Sequence, residues 1–377
     1  MSTRKYIFLI YLLSSFVSIN ATTYFISNSL GNDLNSGLSF QNPIKTIPRL
    51  NTFNFYPGDS ILFKSQDTFH GMFWLKGSGN SIHPIVIDTY GGIEKAIING
   101  DGYQSGILLY NDDYISINNL EISNHNSHLD SLGNIKLLPG FSGASNTWGS
   151  GKNVRFGIKI VASSRSLTGF SMNNLKIHDI YPSPVLSQNF HKGYGIKFET
   201  QSDTVNSLFN IISNVEISHS EFSQTGHYGI WIKSIGLNNI DSVKNTDFQI
   251  LDCDFENTGG SGFVPNKSKN ILVQNCSFNH TGSSVDSRMW KRGSGLWTFD
   301  CKDVIVQHNY FMNAHGPQDS YGAHIDYGNE NVVFQYNYSY NNEGGFAEIL
   351  GDNINCGYRY NISVNDGYRV DPNNLNF

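Results

Sequence analysis

Residues 262–282 read GFVPNKSKNILVQNCSFNHTG, residues 295–316 GLWTFDCKDVIVQHNYFMNAHG, residues 322–344 GAHIDYGNENVVFQYNYSYNNEG, and residues 345–367 GFAEILGDNINCGYRYNISVNDG. Each phrase opens on Gly, runs a short alternating strand, turns on polar residues, runs a second strand and closes on Asn and Gly. Upstream the phrase recurs in GILLYNDDYISINNLEISNH (106–125), GIKIVASSRSLTGFSMNNLKIHD (157–179), GIKFETQSDTVNSLFNIISNVEISH (195–219) and GIWIKSIGLNNIDSVKNTDFQILDCDFENTG (229–259). Strands this short, repeating with no 3.6-residue period, mark a solenoid in which each coil needs its neighbours to bury its apolar side.

The expected stacking can be written as columns. One inward column reads Leu120, Leu175, Val215, Cys253, Cys276, Asn309, Asn337 and Asn361. The column two residues on reads Ile122, Ile177, Ile217, Phe255, Phe278, Phe311, Ser339 and Ser363. The switch to Asn309, Asn337 and Asn361 predicts an internal amide ladder, because a buried amide without a partner costs roughly 1–3 kcal/mol. Asn337 and Asn361 also open N-x-S sequons, but their inward place argues against glycans there.

Composition agrees with stacked turns. Charged residues make up only 15% of the chain while Gly numbers 37, so neutral polar side chains carry the surface and positive-φ residues the turns. A net charge of −6 gives no broad basic field, and nucleic acid is not an expected partner. Arg4 and Lys5 precede an apolar run from Tyr6 to Val17, with small residues at Ser18 and Ala21. That is the order of a secretory signal, expected over residues 1–21 and too short to span a bilayer, so the chain is expected to be secreted, extracellular or periplasmic. The remainder, 22–377, is read as a single domain whose N-terminal capping region covers about residues 22–100. Only seven residues follow NDGYRV, which leaves no obvious cap and suggests a truncated relative of longer chains. Four cysteines, Cys253, Cys276, Cys301 and Cys356, are too few for a disulfide framework; stacking would bring Cys253 and Cys276 within disulfide range, with buried free thiols in an apolar ladder the favoured reading.

The opening segment TTYFISNSLGNDLNSGLSFQNPIKTIPRLN (22–51), with a short helix expected at Ile44 to Leu50, leads into FYPGDSILFKSQDTFHG (55–71) and HPIVIDTYGG (83–92). Joined to the Asn-rich repeats, it resembles the secreted right-handed parallel β-helix proteins of the pectate-lyase-like superfamily, many of which are polysaccharide lyases or glycoside hydrolases. The resemblance covers nearly all of the mature chain and implies an all-β, right-handed parallel β-helix. It does not imply one reaction, since one fold hosts many.

In each coil the residues two and four beyond the Gly should point outward. The face so formed holds Lys159 and Val161, Lys197 and Glu199, Trp231 and Lys233, Val264 and Asn266, Trp297 and Phe299, His324 and Asp326, Phe346 and Glu348, and Arg369 and Asp371. For Glu348 the count starts at Gly344. Trp231, Trp297 and Phe299 suit the apolar faces of sugar rings, and the carboxylates Asp326, Glu348 and Asp371 follow on consecutive coils about 4.8 Å apart. Like charges so close raise one another's pKa.

Two chemistries use such a face. In a glycoside hydrolase Asp326 is read as nucleophile or base and Glu348 as acid, with a gap near 5 Å leaning toward retention and no cofactor needed. This order of Asp and Glu is similar to that of β-xylosidase-type β-helix glycosidases. His324 would orient a sugar hydroxyl or the carboxylate, and Trp297, Trp231, Arg369, Asp371, Lys233 and Arg292 complete the substrate-binding set. In a lyase Asp326, Glu348 and Asp371 would instead bind Ca²⁺ and a base would remove the proton. Arg369 is then the better base, because Lys233 stands about four coils, near 19 Å, away. The insertion SSVDSRMWKRGSG (283–295) adds Arg288, Lys291 and Arg292 beside the groove, and suits an anionic polysaccharide. A third reading is a glycan-binding or adhesin solenoid without turnover. The loops from Ser123 to Arg155 and from Ser283 to Ser294 should set which glycan fits.

Overall fold

The computed structural model describes residues 21–126, 131, 154–182, 192–203, 208–234 and 240–369. Apart from Ala21, the expected leader lies outside these residues, and so does Asp371. The chain winds through three long parallel sheets of 11, 10 and 8 strands. The first runs from Thr23–Ile26 to Gly357–Arg359, the second from Thr68–His70 to Ile362–Val364, and the third from Phe73–Leu75 to Ala323–Ile325. A helix at Ile47–Leu50, capped by the Thr46 side chain, covers the N-terminal end, shorter than the Ile44 to Leu50 expected.

The corner between the first and second sheets is a single left-handed residue. Asn119, Asn174, Asp252 and Asn275 hold it with φ of 53°, 53°, 52° and 56°, residues whose short polar side chains tolerate that region; His219, His308, Tyr336 and Tyr360 hold the same corner in other coils at φ of 50°, 57°, 55° and 57°. The Gly that opens each phrase has a different cause. A Cβ on Gly295 would lie 2.4 Å from the Gly322 carbonyl oxygen and 2.7 Å from Phe311, so the coils can close only on hydrogen there.

Inside, like stacks on like. Phe222, Phe255, Phe278 and Phe311 form an unbroken column with centroids 4.9, 4.7 and 4.9 Å apart. The amide ladder is also present: Asn309 Nδ2 donates to Asn337 Oδ1 at 3.0 Å, and Asn337 Nδ2 to Asn361 Oδ1 at 3.1 Å. Asn337 is buried within it. All four cysteines are free thiols, three of them buried.

One coil corrects the register read from sequence. Val215 and Ile217 pair with Phe170 and Met172 in the first sheet, and the inward places they were given belong to Ser220 and Phe222. The coil that starts at Gly195 carries an extra antiparallel pair, Ser202–Asp203 with Leu208–Phe209, which displaces its second strand along the sequence.

Removing one rung should cost more than removing a surface amide. Asn337→Ala takes the side-chain partner from the Asn309 backbone N–H and the Val306 carbonyl, while Asn361 Oδ1 keeps only the residue 337 backbone N–H, and should lower unfolding free energy in urea by at least about 2 kcal/mol. Gln335→Ala, in an outer amide row on ordinary strand backbone, should cost less than about 1 kcal/mol.

Candidate active site

The outer face of the third sheet carries two columns. Register places Trp74, Leu108, Lys159, Lys197, Trp231, Val264, Trp297 and His324 in one. Val161, Glu199, Lys233, Asn266, Phe299 and Asp326 fill the other. The face therefore follows the sequence reading as far as His324 and Asp326.

Beyond that point three places change. An isolated bridge pairs Ile325 with Ile349, so Glu348 stands opposite His324 rather than Asp326, and Phe346 turns into the core against Phe311 and Tyr358. The phrase is in step with Gly345 one place earlier than Gly322, because Gly345 pairs with Tyr321. Glu348 nonetheless remains outside the core. Arg369 leaves the face altogether: its guanidinium donates to the carbonyls of Gly316 and Gln318 and to Ser320 Oγ and lies 3.5 Å from Glu343, stapling the 316–320 turn. Lys233 is three coils from Asp326 by register, roughly 14 Å, not four; it remains too far to share one sugar with it.

The face divides into two halves of different charge. In the N-terminal half Lys197 Nζ lies 2.6 Å and Lys159 Nζ 3.7 Å from Glu199 Oε2. Burial opposes ionisation of Glu199, yet the two lysines carry its pKa down to about 2, and burial brings Lys159 down to about 8. Trp231 belongs to this half. Its ring meets Lys197 at 4.6 Å, Lys233 at 5.3 Å and stacked Tyr194 at 5.0 Å, so much of it is engaged by protein.

The C-terminal half is acidic and aromatic. Trp297 lies parallel to His324, centroids 5.9 Å apart and planes within 6°, and Tyr321 meets His324 edge-on at 5.5 Å. The Trp297 indole N–H is tied to Ser261 Oγ at 3.1 Å. Around these rings stand Asp326, Glu348 and a carboxylate the repeat reading passed over, Asp319. Asp319 is held by Arg292, Nη2 to Oδ2 at 2.6 Å and Nε to Oδ2 at 3.1 Å. Arg292 thus reaches the site through a carboxylate, while Arg288 is bound to Asp286 and packed on Tyr181 at 4.1 Å.

Burial raises the pKa of Asp326; the Tyr327 backbone N–H pulls it back and the charge of Asp319 adds to the rise. Burial likewise raises Glu348, partly offset by a hydrogen bond from the Tyr321 hydroxyl at 3.0 Å, with Asp319 acting on it more strongly than Asp326 does. Asp319 is therefore the acidic neighbour common to both. Tyr321 in turn is pushed up to about 12, which keeps its hydroxyl a donor. Such a group can bind a sugar on an aromatic wall and present it with one proton donor and one charged carboxylate. Among the described residues no three His, Cys, Asp or Glu side chains gather as a metal-binding group.

Sequence reasoning missed Asp319 and Tyr321 because both precede the Gly that opens the coil, in the turn leading from the second sheet to the third. Their signal was the aspartate seven residues before Asp326 in HGPQDSYGAHID.

A model of the family described as right handed beta helix region matches residues 156–363. The lacto-N-biosidase of Bifidobacterium longum subsp. longum is 25% identical over 419 aligned positions, covering 92% of this chain and 26% of that protein. The solved GH136 lacto-N-biosidase from Eubacterium ramulus superposes with a TM-score of 0.75 at 25% identity, over 92% of this chain and 60% of that one. An alginate lyase from Paenibacillus sp. shares the fold, with a TM-score of 0.59 at 16% identity, over 90% of this chain and 95% of its own. The chain thus spans about a quarter of the length of the curated relative and 60% of the solved one.

The raised carboxylates make a stability prediction. A carboxyl whose pKa is higher in the fold than unfolded binds its proton more tightly when folded, so its stabilising effect is present at low pH. It is lost as pH rises above the ordinary carboxylate range and through the folded pKa. Asp326→Asn and Glu348→Gln should each raise the melting temperature at pH near 7 and lose that advantage at pH near 3. Calorimetry at the two pH values checks it; equal shifts at both would show that ionisation is not what strains the site.

Proposed function

We propose that this chain, which belongs to the right-handed β-helix family, is a glycoside hydrolase acting on oligosaccharide or polysaccharide glycans at the C-terminal half of its third sheet. One observation carries the reading: Asp319, Asp326 and Glu348 gather beside the Trp297 and His324 rings, and burial holds two of them toward the protonated form. The likeness to the two lacto-N-biosidases supports a glycan with a neutral disaccharide to release.

Asp326 is the general acid in this reading. Its raised pKa keeps a proton available, and the outward column aims it along the same face as Trp297. The charge acting on it is that of Asp319, which makes Asp319, fixed by Arg292, the partner carboxylate. Glu348, first read as the acid, becomes a third carboxylate that holds a sugar hydroxyl together with Tyr321. No cofactor enters the reaction. The calcium-dependent lyase remains the competing chemistry; its third ligand, Asp371, lies outside the described residues. The enzyme is proposed to act outside the cytoplasm, on the strength of the leader-like residues 1–21; among the described residues no helix is long and apolar enough to cross a membrane.

The test uses a natural oligosaccharide ending in lacto-N-biose and its nitrophenyl counterpart. Asp326→Asn should lose about 10²–10⁴-fold on the natural substrate, whose leaving group needs the proton, and much less on the activated one. Asp319→Asn should lose comparably on both, and Glu348→Gln less than either. Turnover should be indifferent to chelator. Full natural turnover in the double variant of Asp319 and Asp326, or an unsaturated product that vanishes with chelator, would overturn the reading.

A further inference from the structure

His324 is almost fully enclosed, yet among the described residues only one of its ring nitrogens has a partner. Nδ1 lies 3.0 Å from Ser294 Oγ, and among the described residues none receives a hydrogen bond from Nε2. Ser294 is itself completely buried. Its Oγ already accepts the Tyr321 backbone N–H at 3.2 Å, and its own N–H is spent on Ser261 Oγ at 3.1 Å. Among the described residues Nδ1 is the one remaining acceptor for the Ser294 hydroxyl proton. If Nδ1 carried a proton instead, that hydroxyl hydrogen would be buried with no acceptor, a costly arrangement. Burial also drives the imidazole away from its charged form, in keeping with the geometry.

We propose that Ser294 fixes His324 as the neutral tautomer protonated on Nε2, and that this N–H donates to an oxygen of the glycan bound beside Trp297. The second half rests on the glycan reading above; the first does not. Ser294 is a positioning residue, acting through His324, while His324 touches the substrate. The stacked indole and the Tyr321 edge hold the ring's plane, and the serine sets which nitrogen is the donor. A neutral donor here binds an uncharged sugar oxygen, because burial keeps the ring uncharged down to a pH of about 4.

The first experiment is ¹⁵N NMR of the full chain labelled at histidine, with the His324 signals assigned by their loss in His324→Gln. The expected result is an unprotonated Nδ1 and a protonated Nε2, constant from about pH 5 to 8. Ser294→Ala should mix the two tautomers and lower kcat/KM about tenfold. His324→Gln, whose amide nitrogen falls where Nε2 was, should keep activity within about tenfold, whereas His324→Asn, which places it near Nδ1, should lose about a hundredfold. A protonated Nδ1, titration inside that window, or equal activity of the Gln and Asn variants would overturn the proposal. A wild-type chain that cleaves no glycan, with the tautomer as expected and its Nε2 resonance moved by the oligosaccharide, would sink the hydrolase reading and keep this one. The same chain with an unmoved resonance would overturn both.

Discussion

Each coil hydrogen-bonds to the next in parallel register, and everything else in this protein follows from that contact. Parallel pairing at about 4.8 Å brings every inward side chain against its own equivalent one coil away. A column must therefore be self-compatible. Phenylalanines satisfy it by stacking and asparagines by bonding amide to amide, and a mixture of the two within one coil step would leave amide groups without partners. The columns change only where a capable neighbour exists, as where Cys276 N–H meets the Asn309 side chain at 2.8 Å and so begins the amide run.

The same rule makes the outer face a place where chemistry can be assembled from distant parts of the sequence. Trp297 and His324, 27 residues apart in chain, become neighbours in parallel because their strands pair. Lys159, Lys197 and Glu199 meet in the same way and form the opposite pole of the face. A glycan lying along the third sheet would then run from a cationic, aromatic half into an acidic one. Turns supply what strands cannot: Asp319 and Tyr321 come from the loop before the coil, and Arg369 secures that loop by binding its carbonyls.

The architecture was legible because repetition is visible in a single chain. The opening Gly and the inward places could be aligned from residues 262 to 367 with no outside help, and His324, Asp326 and Trp297 were found on the face expected of them. What failed was phase. Two adjacent glycines, Gly344 and Gly345, gave two possible starts for one coil, and the choice put Phe346 outside and Glu348 opposite the wrong partner. The inserted hairpin in the coil from Gly195 hid Phe222 behind Val215 and Ile217. Asp319 was invisible for a different reason: strand periodicity says which way a residue points only inside a strand, and the path of a turn depends on contacts such as those of Arg292 and Arg369 that no periodicity encodes.

The account's central claim is that a glycan is held on the third sheet with its reacting bond over Asp319 and Asp326. A crystal structure of Asp326→Asn with an uncleaved oligosaccharide tests this most directly. The account predicts one sugar ring over Trp297, the glycosidic oxygen within hydrogen-bond reach of the residue 326 side chain, and a sugar oxygen on His324 Nε2. A glycan seated wholly over Lys159, Lys197 and Trp231, away from all three carboxylates, would contradict it.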